Sequence, residues 1–201
     1  MRGFVGCALA ILITAPAFGD WLYDGYPIYN LGIAIGKGRP TEMVAQPFSL
    51  PGSGPGEIDQ LGVAIARGAD PNNVGFQVTL ATDYRDLAKT TLASWQVLPT
   101  YGPTLMFVYW SIKPIPLDAG QTYYLVLAPG DSEFMGAVAY ATRGNLALAT
   151  NDDGATWHDI AQLGVRVGGT MVPEPSAFMV LGVGCLVLGR TRLTRRTTPI
   201  S

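Results

Sequence analysis

Histidine and cysteine are nearly missing from this sequence. His158 is the single histidine, and the two cysteines, Cys7 and Cys185, stand in apolar stretches near the two ends. The region between them therefore has no cysteine for a disulfide, and it lacks the imidazoles and thiolates from which zinc, copper or iron sites are built. A Ser/His/Asp hydrolase would have to use His158, which directly follows a tryptophan in a turn-rich stretch, and no nucleophile-elbow sequence points at a serine. Positive charge is scarce as well. Residues 20–172 carry eight basic and fourteen acidic side chains, a net charge of −6. With no basic cluster, neither nucleic acid nor an anionic membrane surface is expected as a partner. Long amphipathic helices are also lacking; only 83–91 has room for a helical turn or two.

What is present has a period of two. In 74–81, Val74, Phe76, Val78 and Leu80 alternate with Gly75, Gln77, Thr79 and Ala81, the pattern of a half-buried strand. Runs at 31–35, 61–65, 92–98, 105–112, 122–128, 137–142 and 163–167 read the same way. Turn-formers separate them, among them Pro51-Gly52-Ser53-Gly54-Pro55-Gly56, Asp70-Pro71-Asn72-Asn73, Asp118-Ala119-Gly120 and Pro129-Gly130-Asp131. So many short strands at close spacing predict an all-β fold, an antiparallel β-sandwich of jelly-roll type. The segments 31–38 and 61–68 resemble each other, but their spacing supports no solenoid or propeller.

Both ends of the chain read as targeting segments. Met1-Arg2, an apolar run over 4–13 and the small residues Ala17 and Gly19 predict a signal peptide over 1–19, removed by signal peptidase after Gly19. At the other end Pro173-Glu174-Pro175 and Ser176 precede an apolar run over 177–189, followed by Arg190, Arg192, Arg195 and Arg196. As a helix that run is about 20 Å long, against a hydrocarbon core of about 30 Å, which suits transient residence in a membrane better than permanent anchoring. The prolines forbid helix upstream, and the arginines hold the far end on the cytoplasmic side.

Motif, short helix and arginine cluster, in that order over 173–196, resemble the PEP-CTERM sorting signal. The resemblance implies an exosortase-like protease as partner, an inner-membrane intermediate, and delivery to the cell surface or extracellular matrix. The domain between the ends, 20–172, also resembles choice-of-anchor R surface domains over roughly 44–170. That resemblance is carried by 46–50, by Leu117-Asp118-Ala119-Gly120-Gln121-Thr122-Tyr123-Tyr124-Leu125-Val126-Leu127, and by an Asp-Gly-x-Thr-Trp hairpin. It implies an exported bacterial β-sandwich and no defined activity.

The sharpest motif inside the domain is Thr150-Asn151-Asp152-Asp153-Gly154-Ala155-Thr156-Trp157, which fits the Asp-box. Its residue types describe a hairpin turn: Asp152 accepts backbone N–H groups, Gly154 takes a conformation closed to other residues, and Trp157 packs the turn on the sheet. A single copy points to a structural hairpin. The expected role is therefore non-catalytic, at a cell surface or in a matrix. A lectin-like module for exopolysaccharide is the alternative, with Trp95, Trp110 and Tyr101 as stacking candidates beside Tyr109 and Tyr124. A glycoside hydrolase using a pair from Glu42, Glu57 and Glu133 is remote. No cofactor is expected; calcium is the one candidate metal, with oxygen ligands at Asp70, Asn72 and Asn73 or at Asp152 and Asp153.

Overall fold

The computed structural model describes residues 21–25, 27–36, 41–67, 75–98, 105–130 and 135–171. The expected signal peptide and sorting segment lie outside them, as do Asp70, Asn72, Asn73, Tyr101 and Glu133. Among the described residues twelve strands follow one another: β1 Trp21–Asp24, β2 Pro27–Gly36, β3 Met43–Ser49, β4 Pro55–Arg67, β5 Phe76–Ala81, β6 Thr91–Val97, β7 Met106–Asp118, β8 Thr122–Pro129, β9 Met135–Ala141, β10 Ala147–Thr150, β11 His158–Ile160 and β12 Val165–Met171. One helical turn, α1 Leu87–Thr90, precedes β6. Among the described residues no helix is long and apolar enough to cross a membrane.

The strands form two antiparallel six-stranded sheets. The first runs β1-β12-β4-β9-β2, with β7 on the other side of β4; the second runs β11-β10-β3-β8-β5-β6. Long β4 is the hub of the first sheet. One of its edges pairs with β12 along Gly56 to Val63 and then with β9 from Ile65 to Arg67, while the other edge pairs with β7. The predicted strands are all present, and alternation explains which side of each is buried. In β5, for instance, Phe76, Val78 and Leu80 face inward while Gln77 is exposed.

Both sheets contribute to one core, in which Ile35, Ile58, Leu61, Val63, Val165 and Val167 meet Phe48, Phe76, Leu80, Leu125 and Leu127. Burying each such side chain contributes about 1.5–3 kcal/mol. Ile58 and Leu61 are three apart yet both buried, which strict alternation forbids. The ladders to β12 and β7 each shift register beside exposed Asp59, and this bulge resets the parity.

Among the described residues Gln46 is a polar side chain that is completely buried and satisfied in place. Gln46 of β3 directs its Nε2 donors to Tyr23 Oη at 3.0 Å, Pro47 O at 2.9 Å and Asn145 O at 2.9 Å, sharing two protons among three acceptors. Its Oε1 accepts the Leu163 N–H at 2.8 Å. Gln46 thus ties the second sheet to β1 and to the chain entering β12. Burial pushes the Tyr23 phenol pKa above its ordinary value, so the group stays a neutral hydrogen-bonding partner.

Candidate functional site

The outer face of the first sheet carries a cluster of rings and charge. Register puts Asp24, Arg166, Gly62 and Tyr109 in one row across β1, β12, β4 and β7. Gly62 leaves room in the row. A side-chain carbon there would come within 2.5 Å of Tyr109 Cδ1 and 2.6 Å of Cε1, so the ring rests one edge on this glycine. Phe107, two residues back on β7, stacks on Tyr109 at a centroid distance of 5.0 Å and 15°. Trp21 stacks on the other side at 5.4 Å and 29°. Arg166 donates to Asp24 Oδ1 at 2.7 Å and to the Tyr109 hydroxyl at 2.6 Å, and its guanidinium lies 4.6 Å from the Phe107 centroid and 5.5 Å from that of Trp21. Partial burial works against the Arg166 charge, but its bonds to Asp24 and Tyr109 outweigh this and raise its pKa. The stack braces β1, β12, β4 and β7, its ring faces turned largely on one another. Tyr109 remains 42% exposed.

The Asp-box forms the loop between β10 and β11. The Thr150 hydroxyl donates to Asp152 Oδ1 at 2.6 Å and accepts the N–H groups of Asp152 and Gly154. Asp152 Oδ1 also accepts the Thr156 N–H at 2.8 Å, and its Oδ2 accepts the Thr156 hydroxyl at 2.6 Å. These bonds, that from Thr150 foremost and then those from Thr156, hold the Asp152 carboxyl down at about 2. Gly154 has φ +89 and packs on Met43, and the Trp157 indole donates to Gly154 O at 3.0 Å. Trp157 meets Tyr84 edge-on at 4.9 Å, and Tyr84 in turn leans on Tyr124 at 4.8 Å. The box therefore closes its own hairpin and fastens it to the outer face of the second sheet.

The remaining candidates are dispersed. Trp95 pairs with buried Val78, and Trp110 with buried Leu61, so both rings share the inward side of their strands and pack against the core. Among the described residues the Trp110 Nε1, which is buried, has no hydrogen-bond partner. Glu42 receives the Asp153 N–H at the edge of the hairpin, whereas Glu57 stands on β4 in the other sheet. His158 is exposed at the start of β11, paired with Ala149. Both Asp152 oxygens are committed inside the loop, and among the described residues no three His, Cys, Asp or Glu side chains gather as a metal-holding group. An open groove of about 370 Å³ lies over β5 and β6, lined by Gln77, Ser94, Trp95, Gln96 and Gly130.

No family model matches this chain, and no curated protein matches it. Trp21, Phe107, Asp24 and Arg166 were not among the sequence candidates. Alternation could have set Phe107 and Tyr109 on one face of β7 and Trp110 on the other, but Arg166 and Asp24 are 142 positions apart and nothing local couples them.

Proposed function

We propose that this chain is an exported, non-catalytic bacterial surface or matrix protein, a jelly-roll sandwich delivered by a PEP-CTERM-type sorting signal. The supporting observation is where the strands lie. β1 begins at Trp21 and β12 ends at Met171, so the described strands fill the interval between the expected cleavage after Gly19 and the motif at Pro173. Within it, β2 to β9 fall in the orders β2-β9-β4-β7 and β3-β8-β5-β6, which are jelly-roll orders; β1, β12 and the β10–β11 hairpin extend the two sheets. The net charge of −6 suits a protein that stays soluble outside the cell. The test is cell fractionation of the full chain against a variant ending at Val172. The full chain should be found at the surface or in the matrix, and the shortened one released or misrouted. Equal surface retention of both would end the sorting reading.

A lectin-like role is the second reading, and exposed Tyr109 beside Arg166 and Asp24 favours it, in place of Trp95 and Trp110. A screen of the exported protein against bacterial exopolysaccharides tests this. Binding weakened by Tyr109→Ala supports it, and no binding to any glycan removes it.

A further inference from the structure

Alternation turns one side of β5 and β6 into the core and leaves the other side outward. The outward residues meet in register, Gln77 opposite Gln96 and Thr79 opposite Ser94, so the two strands present amides and hydroxyls with no charge among them. The open groove of about 370 Å³ lies over this strip and is bordered by Gly130. That border is bare backbone: the Gly130 N–H donates to Gly75 O at 3.0 Å, and a side-chain carbon on Gly130 would come within 2.7 Å of the same oxygen. The volume is near the lower end of the roughly 300–1,000 Å³ of small-molecule sites, which suits a short stretch of an oligomer rather than a folded partner.

The polar atoms of the strip are fixed by one another. Ser94 Oγ accepts a Gln77 Nε2 hydrogen at 2.8 Å and donates to Val78 O at 3.3 Å, and the Thr79 hydroxyl lies 3.2 Å from it. A primary amide has two N–H groups and one carbonyl oxygen. One bond to Ser94 therefore leaves exposed Gln77 with a donor and an acceptor side by side, on a side chain that lines the groove. Two neighbouring ring hydroxyls of a sugar supply the complement, one donating and the other accepting. Among the described residues that line the groove none is ionisable. A carboxylate or phosphate on a ligand meets no cation there and is repelled by the net charge of −6 over 20–172, while an ammonium group meets no carboxylate.

We propose that the groove over β5 and β6 binds a neutral glycan chain, with Gln77 contacting a vicinal pair of its hydroxyls. This rests on the lectin-like reading for the class of ligand, restricts that class to uncharged sugars, and moves the site from Tyr109 on the first sheet to Gln77 on the second. It does not depend on the sorting signal. The Trp95 ring shares the inward side of β6, so binding comes from hydrogen bonds rather than from stacking. A few uncharged hydrogen bonds give an affinity for one short chain in about the millimolar range. A polymer with many repeats raises the apparent affinity by engaging many copies of the protein.

The test is calorimetric titration of the full chain, in a detergent without a sugar headgroup, with neutral gluco-, manno- and galacto-hexasaccharides and with the acidic hexagalacturonate. At least one neutral chain should bind, with an affinity that salt does not change, and hexagalacturonate should not. Gln77→Leu should weaken the binding about fivefold or more, as expected for the loss of one or two uncharged hydrogen bonds. Gln77→Glu keeps the shape and removes both amide N–H groups, so it should weaken binding as well, with circular dichroism showing that each variant keeps its strands. Binding that survives both Gln77 variants but is lost with Tyr109→Ala overturns the groove and leaves the lectin-like reading standing on the first sheet. Hexagalacturonate bound as tightly as the neutral chains overturns the proposal. So does the failure of every neutral chain to bind, while the wider exopolysaccharide screen decides the lectin-like reading itself.

Discussion

β6 and β7 follow each other in the chain, and each stands at the edge of its own sheet, yet they meet solvent in opposite ways. β7 is long, interrupted by prolines, and anchored on its outer face by the Phe107–Tyr109–Trp21 stack around Arg166. β6 is short and uncharged, its ladder to β5 shifts register beside Leu92, and Ser94 and Gln96 line an open groove on it. The contrast shows that the number of aromatic residues does not mark a binding surface in this fold. On β7 the rings and the cation satisfy one another; on β6 the open feature is the groove over Gln77, Ser94 and Gly130.

The largest expected effect comes from undoing the anchor on β7. Tyr109→Ala removes two ring stacks and the hydroxyl that Arg166 bonds, and should cost about 2–3 kcal/mol in a urea unfolding experiment. β1 loses its brace in the same change, since Trp21 would retain only Arg166 and the sheet. A loss below about 0.5 kcal/mol would mean that the stack is surface decoration. The next test converts one edge into the other. Pro114→Val with Pro116→Val leaves folding stability within about 1 kcal/mol but gives β7 a continuous donor edge. Light scattering should then show association through β7 beyond that of the wild type. Unchanged association would show that Lys113 and the register shift guard β7 without the prolines.

The sequence made these two edges unequally legible. β6 could be read from alternation over 92–98, and the structure starts the strand one residue earlier and ends it one earlier. For β7 the pattern over 105–112 stops before Lys113-Pro114-Ile115-Pro116, since prolines read as a strand end. The strand nevertheless continues to Asp118, because it is an edge whose ladder skips residues at that point. The Asp-box was locally legible, because the bonds among Thr150, Asp152 and Thr156 lie within eight residues and follow from the chemistry of those side chains, although the Asp153 N–H reaches Glu42, 111 positions away. The stack was not. Its members come from β1, β7 and β12, and only the register that the whole fold imposes brings Asp24, Arg166, Gly62 and Tyr109 into one row. The inward side of Trp95 and Trp110 was readable from parity alone, had each been compared with its buried neighbours Val97 and Ile112.

A smaller effect concerns β11, which closes the other end of the second sheet through the Asp-box. The Asp152 carboxyl is held at about 2, below its ordinary 3.8. A depressed carboxyl favours the folded hairpin above the ordinary value, and that contribution is lost as pH falls from about 4 through about 2. Near-ultraviolet circular dichroism should report Trp157 loosening across that window, with Asp152→Asn showing the loosened signal already at neutral pH. The groove beside β6 has no ionisable side chain in its lining, so the same titration leaves its shape unchanged. A Trp157 signal that is flat down to pH 2 would contradict the hydrogen-bond account of the hairpin.

The smallest effect is expected inside β7, at Trp110. Its indole N–H is buried with no partner among the described residues, and an unmet buried donor costs about 1–3 kcal/mol. Trp110→Phe removes the donor and keeps a ring against Leu61, but it also removes apolar atoms, a loss of about 1–2 kcal/mol for a ring partly packed on the core. The two terms oppose each other and are of similar size, so the unfolding midpoint should move by no more than about 1 kcal/mol in either direction. Trp110→Tyr separates them, because a phenol returns a polar hydrogen to the same apolar surroundings and should be the less stable of the two. If Trp110→Phe instead costs more than about 3 kcal/mol, the indole N–H is satisfied and the inward face of β7 is built differently from the face described above.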